Sequence, residues 1–350
     1  MKAQILEKIT TLKENPEPLR LVELPIPEPG QKEVLVKVAD CGVCHTELDE
    51  IEGRTPPPKL PIILGHEVVG RVEKLGQGVT RFGINDRVGI AWFYSSCGKC
   101  RFCLSGYENL CNEFKATGRD ANGGYAEFIV VPETSAYPIP EAFSDTEAAP
   151  LLCAGVVGYR SLRLTGLKNG ETIGLFGFGA SAHIIIQVVK YKYPDSSVFV
   201  FTRQGQKEHQ DLARRLGADW VGATGDEPPK KLNRAIDFTP AWHPIVEGMR
   251  ALEKGGRFVI NAIRKEERDK DTLLKWNYAR DIWCEKELKS VANVTRRDAE
   301  DFLPLAAEIP IRPEIQIFEL KDANRALNLL KQGKMQGAGV LKMPDIGDGA

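Results

Sequence analysis

The chain opens with short apolar runs broken by Gly and Pro. Three of them read as half-buried strands: 34–38, 68–72 and Arg87–Ile90, each bounded by turn residues. Thr55 followed by Pro56, Pro57 and Pro58 predicts a stiff extended loop, because consecutive prolines exclude both helix and central strand. The texture changes around 150–158. From Glu171 strand and helix patterns alternate: a strand at Thr172–Phe176, a helix over 180–190, a strand at 198–202, and a helix over 207–216 that Gly217 can cap. Further strands are expected at 235–238, 258–261 and 288–292, with a helical stretch near 245–253. Strands and helices alternating in this way imply a parallel sheet covered on both faces. Beyond 294 the texture is mixed again, with helices near 298–308 and 321–332 and strands near 314–318 and 340–342. No solenoid-type repeat and no low-complexity tract is visible. The expected fold class is α/β, in three segments: a β-rich 1–154, an alternating 155–294 and a return at 295–350.

At 350 residues the chain has room for two cores, and 42% hydrophobic with 27% charged residues is a globular profile. A net charge of -1, with no run of Lys and Arg interleaved with aromatics, argues against nucleic acid as a partner. The first 15 residues mix Lys and Glu with Ile and Leu and lack the apolar core of a secretory signal. No apolar stretch is long enough to span a membrane, so the expectation is a cytoplasmic protein without a membrane partner. In that reducing compartment, eight cysteines point to metal ligation or reactive thiols before disulfides.

Four of them form the run Cys97-x2-Cys100-x2-Cys103-x7-Cys111. Four thiolates on a short loop can surround one tetrahedral ion and leave no open position, which describes a structural zinc site. Gly98 permits the tight bend, and Lys99 and Arg101 are placed to offset thiolate charge. A bacterial ferredoxin run would place its fourth cysteine after three residues and follow it with Pro. Here seven residues intervene and Asn112 follows, so zinc is favoured over an iron–sulfur cluster.

Two further segments, Cys44-His45-Thr46-Glu47 and Gly65-His66-Glu67, combine metal-ligand types beside a glycine. Either His alone would more often be a hydrogen-bonded structural residue. The stretch Gly65-His66-Glu67-x2-Gly70-x5-Gly76-x2-Val79 resembles the signature of the zinc-dependent medium-chain alcohol dehydrogenases at each fixed position. Cys41-Gly42-Val43-Cys44-His45-Thr46 is similar to that family's segment around its first catalytic ligand. The resemblance runs the whole length, and within the family it is strongest to the microbial group related to cinnamyl-type alcohol dehydrogenases.

The resemblance implies a GroES-like catalytic domain at 1–154 with a return at 295–350, and a Rossmann doubly wound dinucleotide-binding domain at 155–294. It implies that Cys44, His66 and Cys153 hold a catalytic zinc, making two zinc ions per chain, with Glu67 able to enter the coordination shell. Thr46 takes the position of the family's hydroxyl relay and His45 a cofactor-binding position. Asp49 stands where many relatives carry the relay's outer His, and Glu47 where Asp is usual. Cys41 and Cys284 are left as buried thiols, and His183, His209 and His243 as structural or surface residues.

Gly177-Phe178-Gly179-Ala180-Ser181-Ala182 follows a strand and opens a helix, the context in which a G-x-G-x-x-A motif indicates a dinucleotide site. Gly177 permits the turn, Gly179 clears the phosphate path and Ala182 keeps helix and sheet close. About 20 residues on, where NAD-preferring folds usually carry an acid, the chain reads Thr202-Arg203-Gln204. A carboxylate would repel a 2′-phosphate. Thr202 and Arg203 can accept one, so NADP is expected in preference to NAD.

The expected function is interconversion of primary alcohols and aldehydes by hydride transfer with nicotinamide. The alternative is a zinc-stabilised dinucleotide-binding protein that has lost catalysis. A zinc-independent quinone reductase would be expected to lack these ligands. Trp92 and Phe93 fall at positions that line the family's pocket, which suits an apolar or aromatic substrate. The other expected partners are further copies of the chain, as a homodimer or homotetramer.

Overall fold

The computed structural model describes residues 1–309, 311–335 and 337–344. The chain begins with β1 (Lys2–Leu6), β2 (Leu19–Glu23), β3 (Glu33–Val43), α1 (His45–Ile51), β4 (Ile62–Ile63), β5 (Val68–Leu75) and β6 (Arg87–Ile90). Then come β7 (Phe93–Ser95), α2 (Arg101–Leu104), β8 (Lys115–Ala116), β9 (Phe128–Pro132), β10 (Ala136–Pro138) and α3 (Asp145–Ala148). The alternating region holds α4 (Ala154–Thr165), β11 (Thr172–Phe176), α5 (Ala180–Lys192), β12 (Ser197–Thr202), α6 (Lys207–Arg215) and β13 (Trp220–Ala223). It continues through β14 (Leu232–Asp237), α7 (His243–Ala251), β15 (Leu252–Ile260) and β16 (Glu287–Ser290). The return consists of α8 (Arg296–Glu308), β17 (Ile315–Glu319), α9 (Ala323–Lys331) and β18 (Ala338–Lys342). Two compact units result: Met1–Cys153 with the chain from Thr295 on, and Ala154–Val294.

In the first unit β3 organises the main sheet. It pairs antiparallel with β5, β9 and β18, inside the order β10-β6-β5-β3-β18-β17. The expected strand 34–38 is only its first half. The segment Asp40-Cys41-Gly42 looks like punctuation, yet β18 pairs with it from the far end of the chain. Register shifts at Leu35/Val36 and Val38/Asp40 bend the strand as bulges do. Val34, Val36, Val38 and Cys41 enter the same core as Val68, Val72, Tyr125 and Leu341. The end of β3 therefore reaches Cys44 from a rigid base.

In the second unit six strands run parallel in the order β13-β12-β11-β14-β15-β16. Every residue of β11 is buried, as a central strand covered on both faces requires. Phe176 stacks on Phe201 with ring centroids 4.2 Å apart, and Phe258, Ile245 and Met249 complete that layer. The strand order reverses between β11 and β14, which puts a topological switch point beside the Gly177 turn. Two elements go beyond the sequence reading. β13 and α4 were not anticipated, and β15 starts at Leu252, immediately after α7, rather than at 258. Among the described residues no helix is long and apolar enough to cross a membrane.

Candidate active site and metal centres

The first centre is assembled entirely within the first unit. Cys44 is the N-cap of α1, and Glu47, three residues on, reaches back so that Cys44 N–H donates to its Oε2 at 2.8 Å. The other oxygen of Glu47 lies 2.6 Å from His66 Nδ1. This contact fixes the ring and turns Nε2 away from Glu47. Nε2 is buried and has no hydrogen-bond partner among the described residues. Gly65 must be glycine here: its φ is +96°, and a Cβ would lie 2.4 Å from the Tyr125 ring and 2.9 Å from Cys41 Sγ. Cys153 enters from the helical turn Ala149–Leu152, and its Sγ is 3.8 Å from that of Cys44.

Ligand atoms of Cys44, His66, Glu67 and Cys153 all lie within 4.8 Å of one another. The hydrogen bond from Cys153 holds the Cys44 thiol well below the usual range despite burial. The same bond, together with burial, pushes the Cys153 thiol well above it. Burial and the Cys44 charge push Glu67 up. Two thiols and a carboxyl that cannot all ionise together, facing an imidazole nitrogen with no partner, form a donor set suited to a divalent cation.

The second centre is the knuckle. The Sγ atoms of Cys97, Cys100, Cys103 and Cys111 also lie within 4.8 Å of one another. Backbone N–H groups of Cys97 and Glu113 donate to Cys111 Sγ at 3.5 and 3.3 Å. Backbone N–H groups of Lys99 and Cys100 draw the Cys97 thiol down to about 7. Arg101, expected to offset thiolate charge, instead lies over the ring of Phe102 at 4.6 Å.

Around the first centre, Thr46 Oγ1 is 3.6 Å from Cys44 Sγ and buried, whereas His45 is exposed. Asp49 is buried as well. Its carboxylate accepts from Arg54 Nε at 2.5 Å, and its carbonyl accepts from the N–H groups of Arg54 and Thr55. The structure thus engages Asp49 with the loop after α1. Two residues here carry more than the sequence suggested. In the sequence Glu47 stands out only as a departure from the usual Asp, although the C-x-x-E spacing is that of a capping box. Glu50 was not singled out. It is fully buried, and burial beside Glu47 holds its carboxyl well above the usual range.

Trp92 and Phe93 pack around Phe114, with centroids at 5.1 and 5.7 Å, and Phe93 belongs to the core. Cys41 is buried as expected. Cys284 is not: it is partly exposed, at a positive φ of 71°. His183, on the first turn of α5, faces the Gly179 carbonyl at 3.2 Å, while His209 and His243 lie in or at the start of α6 and α7.

In the second unit Gly177 has φ +82°, and a Cβ would lie 2.7 Å from Thr239 Cγ2. Gly179 caps α5, and no atom lies within 4 Å of the place its Cβ would take. Ala182 is fully buried. At the end of β12 the Thr202 hydroxyl donates to the Arg203 carbonyl at 3.2 Å and accepts from Gln210 Nε2 at 2.9 Å. Thr202 is therefore already committed as a donor in this conformation, and Arg203 is exposed.

The alcohol dehydrogenase GroES-like domain family matches residues 30–141. A probable alcohol dehydrogenase of Mycobacterium tuberculosis is 41% identical over 329 residues, covering 93% of this chain and 92% of that protein. An NAD-dependent alcohol dehydrogenase of Sulfolobus acidocaldarius is 32% identical, covering 98% and 100%. Among solved structures, the alcohol dehydrogenase of the hyperthermophilic archaeon Aeropyrum pernix is similar with a TM-score of 0.83 at 28% identity, covering 98% of this chain and 100% of that one. Full-length similarity, two clusters of zinc-type ligands and a parallel sheet with a glycine turn at its switch point lead to one assignment: the chain belongs to the zinc-dependent medium-chain alcohol dehydrogenase family.

Proposed function

We propose that the chain interconverts primary alcohols and aldehydes by hydride transfer with a nicotinamide cofactor, using one catalytic and one structural zinc. The observation that carries this reading is the buried, partnerless Nε2 of His66 within 4.8 Å of ligand atoms from Cys44, Glu67 and Cys153. Cys44, His66 and Cys153 would hold the catalytic ion, with Glu67 able to join them. A chain that had lost catalysis would have no reason to keep this set. When bound, zinc acts as a Lewis acid and lowers the pKa of a hydroxyl held at it from about 16 toward 7.

The protein's own groups do the rest. Glu47 accepts from His66 Nδ1, which reserves Nε2 as a lone-pair donor and orients the ring. Thr46 holds the alcohol proton at its hydroxyl and passes it on. Since Asp49 is engaged with Arg54, we assign the step after Thr46 mainly to water, with Asp49 contributing at most by fixing the loop. Gly177, Gly179 and Ala182 would cradle the pyrophosphate at the start of α5, and exposed His45 would offer a ring nitrogen to the cofactor.

For the cofactor we favour NADP over NAD. The Sulfolobus relative is named NAD-dependent, so the preference of this chain rests on Arg203 and on the absence of an acid at the end of β12. An apolar or aromatic substrate is favoured by the aromatic pair Trp92 and Phe93 that precedes the knuckle. A homodimer or homotetramer is favoured by the fully exposed edge strand β16 and the exposed Trp283 and Tyr278 of the same unit. Eight free cysteines suit the cytoplasm. Elemental analysis with an aldehyde reduction assay tests the whole reading. Two zinc ions per chain and zinc-dependent turnover are expected, and turnover unaffected by removal of all metal would refute it.

A further inference from the structure

Beyond the Gly177 turn, the C-terminal edge of the parallel sheet holds a buried ion pair that the reaction does not use. Asp237, the last residue of β14, pairs with Lys265, and their side chains are 0% and 7% exposed. Lys265 Nζ donates to Asp237 Oδ2, to the Thr239 carbonyl at 2.7 Å and to the Ala241 carbonyl at 3.0 Å. All three ammonium protons are thereby engaged, so this lysine has none left for a ligand. The other Asp237 oxygen accepts from Thr239 N at 2.9 Å and Thr239 Oγ1 at 2.8 Å.

The pair ties two loops into one wall. Segment 238–242 follows β14 and segment 261–269 follows β15. Glu266 N donates to the Pro240 carbonyl, Trp242 Nε1 donates to the Glu266 carbonyl at 2.7 Å, and Asp269 accepts from the N–H groups of Trp242 and His243. On its other side the wall meets the dinucleotide turn. Phe238 N donates to the Phe176 carbonyl at 2.9 Å, and Thr239 Cγ2 fills the space where Gly177 lacks a Cβ. This is the switch point between β11 and β14, where ligands bind in doubly wound sheets. A buried ion pair contributes little net stability compared with an apolar pair of the same volume, so its use here is better sought in orientation.

We propose that Lys265 is a positioning residue for the nicotinamide-bearing half of the dinucleotide, holding segment 238–242 in place from beneath. The inference rests on the dinucleotide reading of the Gly177 turn. In such folds the β11–β13 half takes the adenosine side and the β14–β16 half takes the other nucleotide. A defect in the Lys265 clamp therefore weakens the whole dinucleotide but not an adenine fragment.

The test uses the zinc-loaded full chain and three variants. Lys265→Met removes the clamp, Lys265→Arg keeps the charge beside Asp237 but not the ammonium geometry, and the double variant Asp237→Asn with Lys265→Met leaves no orphaned charge. Dissociation constants for NADPH, NADH and the adenine fragments 5′-AMP and 2′,5′-ADP are measured by fluorescence and calorimetry, with thermal melting as the folding control. In the folded double variant both dinucleotides are expected to bind about tenfold more weakly. Fragment affinity should stay within about twofold, with KM for the dinucleotide rising more than kcat falls. Lys265→Arg should move in the same direction even if Lys265→Met does not fold. Unchanged dinucleotide affinity in the folded double variant and in Lys265→Arg overturns the proposal. Equal weakening of fragments and dinucleotides overturns it as well, because the effect would then be general. If the wild type binds fragments and dinucleotides not at all, the dinucleotide reading itself falls and the clamp with it.

Discussion

At the scale of single residues, the members of the two ligand-type clusters were legible in the sequence and their supports were not. Cys44, His66 and Cys153 stand out as types at positions. The part played by Glu47 depends on a side chain folding back over one helical turn and meeting a residue 19 positions away. Glu47→Gln keeps the shape but weakens the acceptor for His66 Nδ1, and substitutions of this kind typically cost about 10–100-fold in metal affinity or activity. Competition with a zinc chelator should show the loss directly. For the proton path, Thr46→Val should lower turnover by orders of magnitude and Thr46→Ser should restore most of it. Asp49→Asn should cost far less at saturating substrate. Its effect should appear mainly as lower thermal stability, because its carboxylate holds Arg54. Wild-type turnover in Thr46→Val would end the relay assignment. For Asp49 the resemblance marked only a position three residues past Thr46, and the fold adds that its carboxylate accepts from Arg54.

At the scale of elements, periodicity located most strands and helices, and long-range pairing moved their ends. The second half of β3 is held as strand from both sides, by β18 from the far end of the chain and by the start of β5. That pairing buries Asp40, whose carboxyl is pushed up to about 6 by burial first, with Asp145 adding to it and Thr146, Lys342 and Arg87 opposing. One oxygen accepts from Thr146 Oγ1 at 3.1 Å, and the other has no partner among the described residues. The folded value lies above the ordinary 3.8, so the folded state holds its proton longer than the unfolded chain does. Asp40's contribution to stability is therefore fully present below about pH 4 and is lost as pH rises through about 6. The gap corresponds to at most about 3 kcal/mol. Asp40→Asn should raise the melting temperature at pH 7.5 and lose that advantage at pH 4; equal shifts at both values would contradict the ionisation argument. The turn between β12 and α6 supports a second prediction. With Thr202 turned onto the Arg203 carbonyl, any preference for a 2′-phosphate has to be carried by the exposed guanidinium. One charge-assisted hydrogen bond contributes roughly 1.5–3 kcal/mol, or about 10–150-fold. Arg203→Ala should raise KM for NADPH within that range and leave KM for NADH little changed. Higher wild-type efficiency with NADH would remove the preference.

For the molecule as a whole, the first unit has a large core of its own, and the two candidate metal centres depend on it to very different degrees. The proposed catalytic ligands stand on β3, α1, the approach to β5 and the turn before Cys153, all built on Val36, Cys41, Val68 and Tyr125. With that much apolar burial, the frame is expected to persist without an ion. The lobe around the knuckle is different. α2 has no buried residue, and Leu104, Tyr107 and Leu110 are 76%, 46% and 42% exposed. With so little apolar burial, an ion held by the four cysteines would serve as the core of the lobe, and its binding free energy would become local folding free energy. The lobe is tied to the returning chain by Glu108, which accepts from Arg296 N at 2.9 Å and pairs with its guanidinium at the start of α8. Loss of the knuckle ion should therefore spread to that helix start. Cys100→Ser is expected to lose one zinc, lower the melting temperature and open the chain near Ser105 and Gly106 to protease. Cys153→Ser should lose the other zinc and nearly all turnover while melting close to the wild type. Hydrogen exchange across 96–114 separates the two cases, with protection lost in the first variant and kept in the second. Equal protection in both would mean that side-chain packing, and not the metal, holds the lobe.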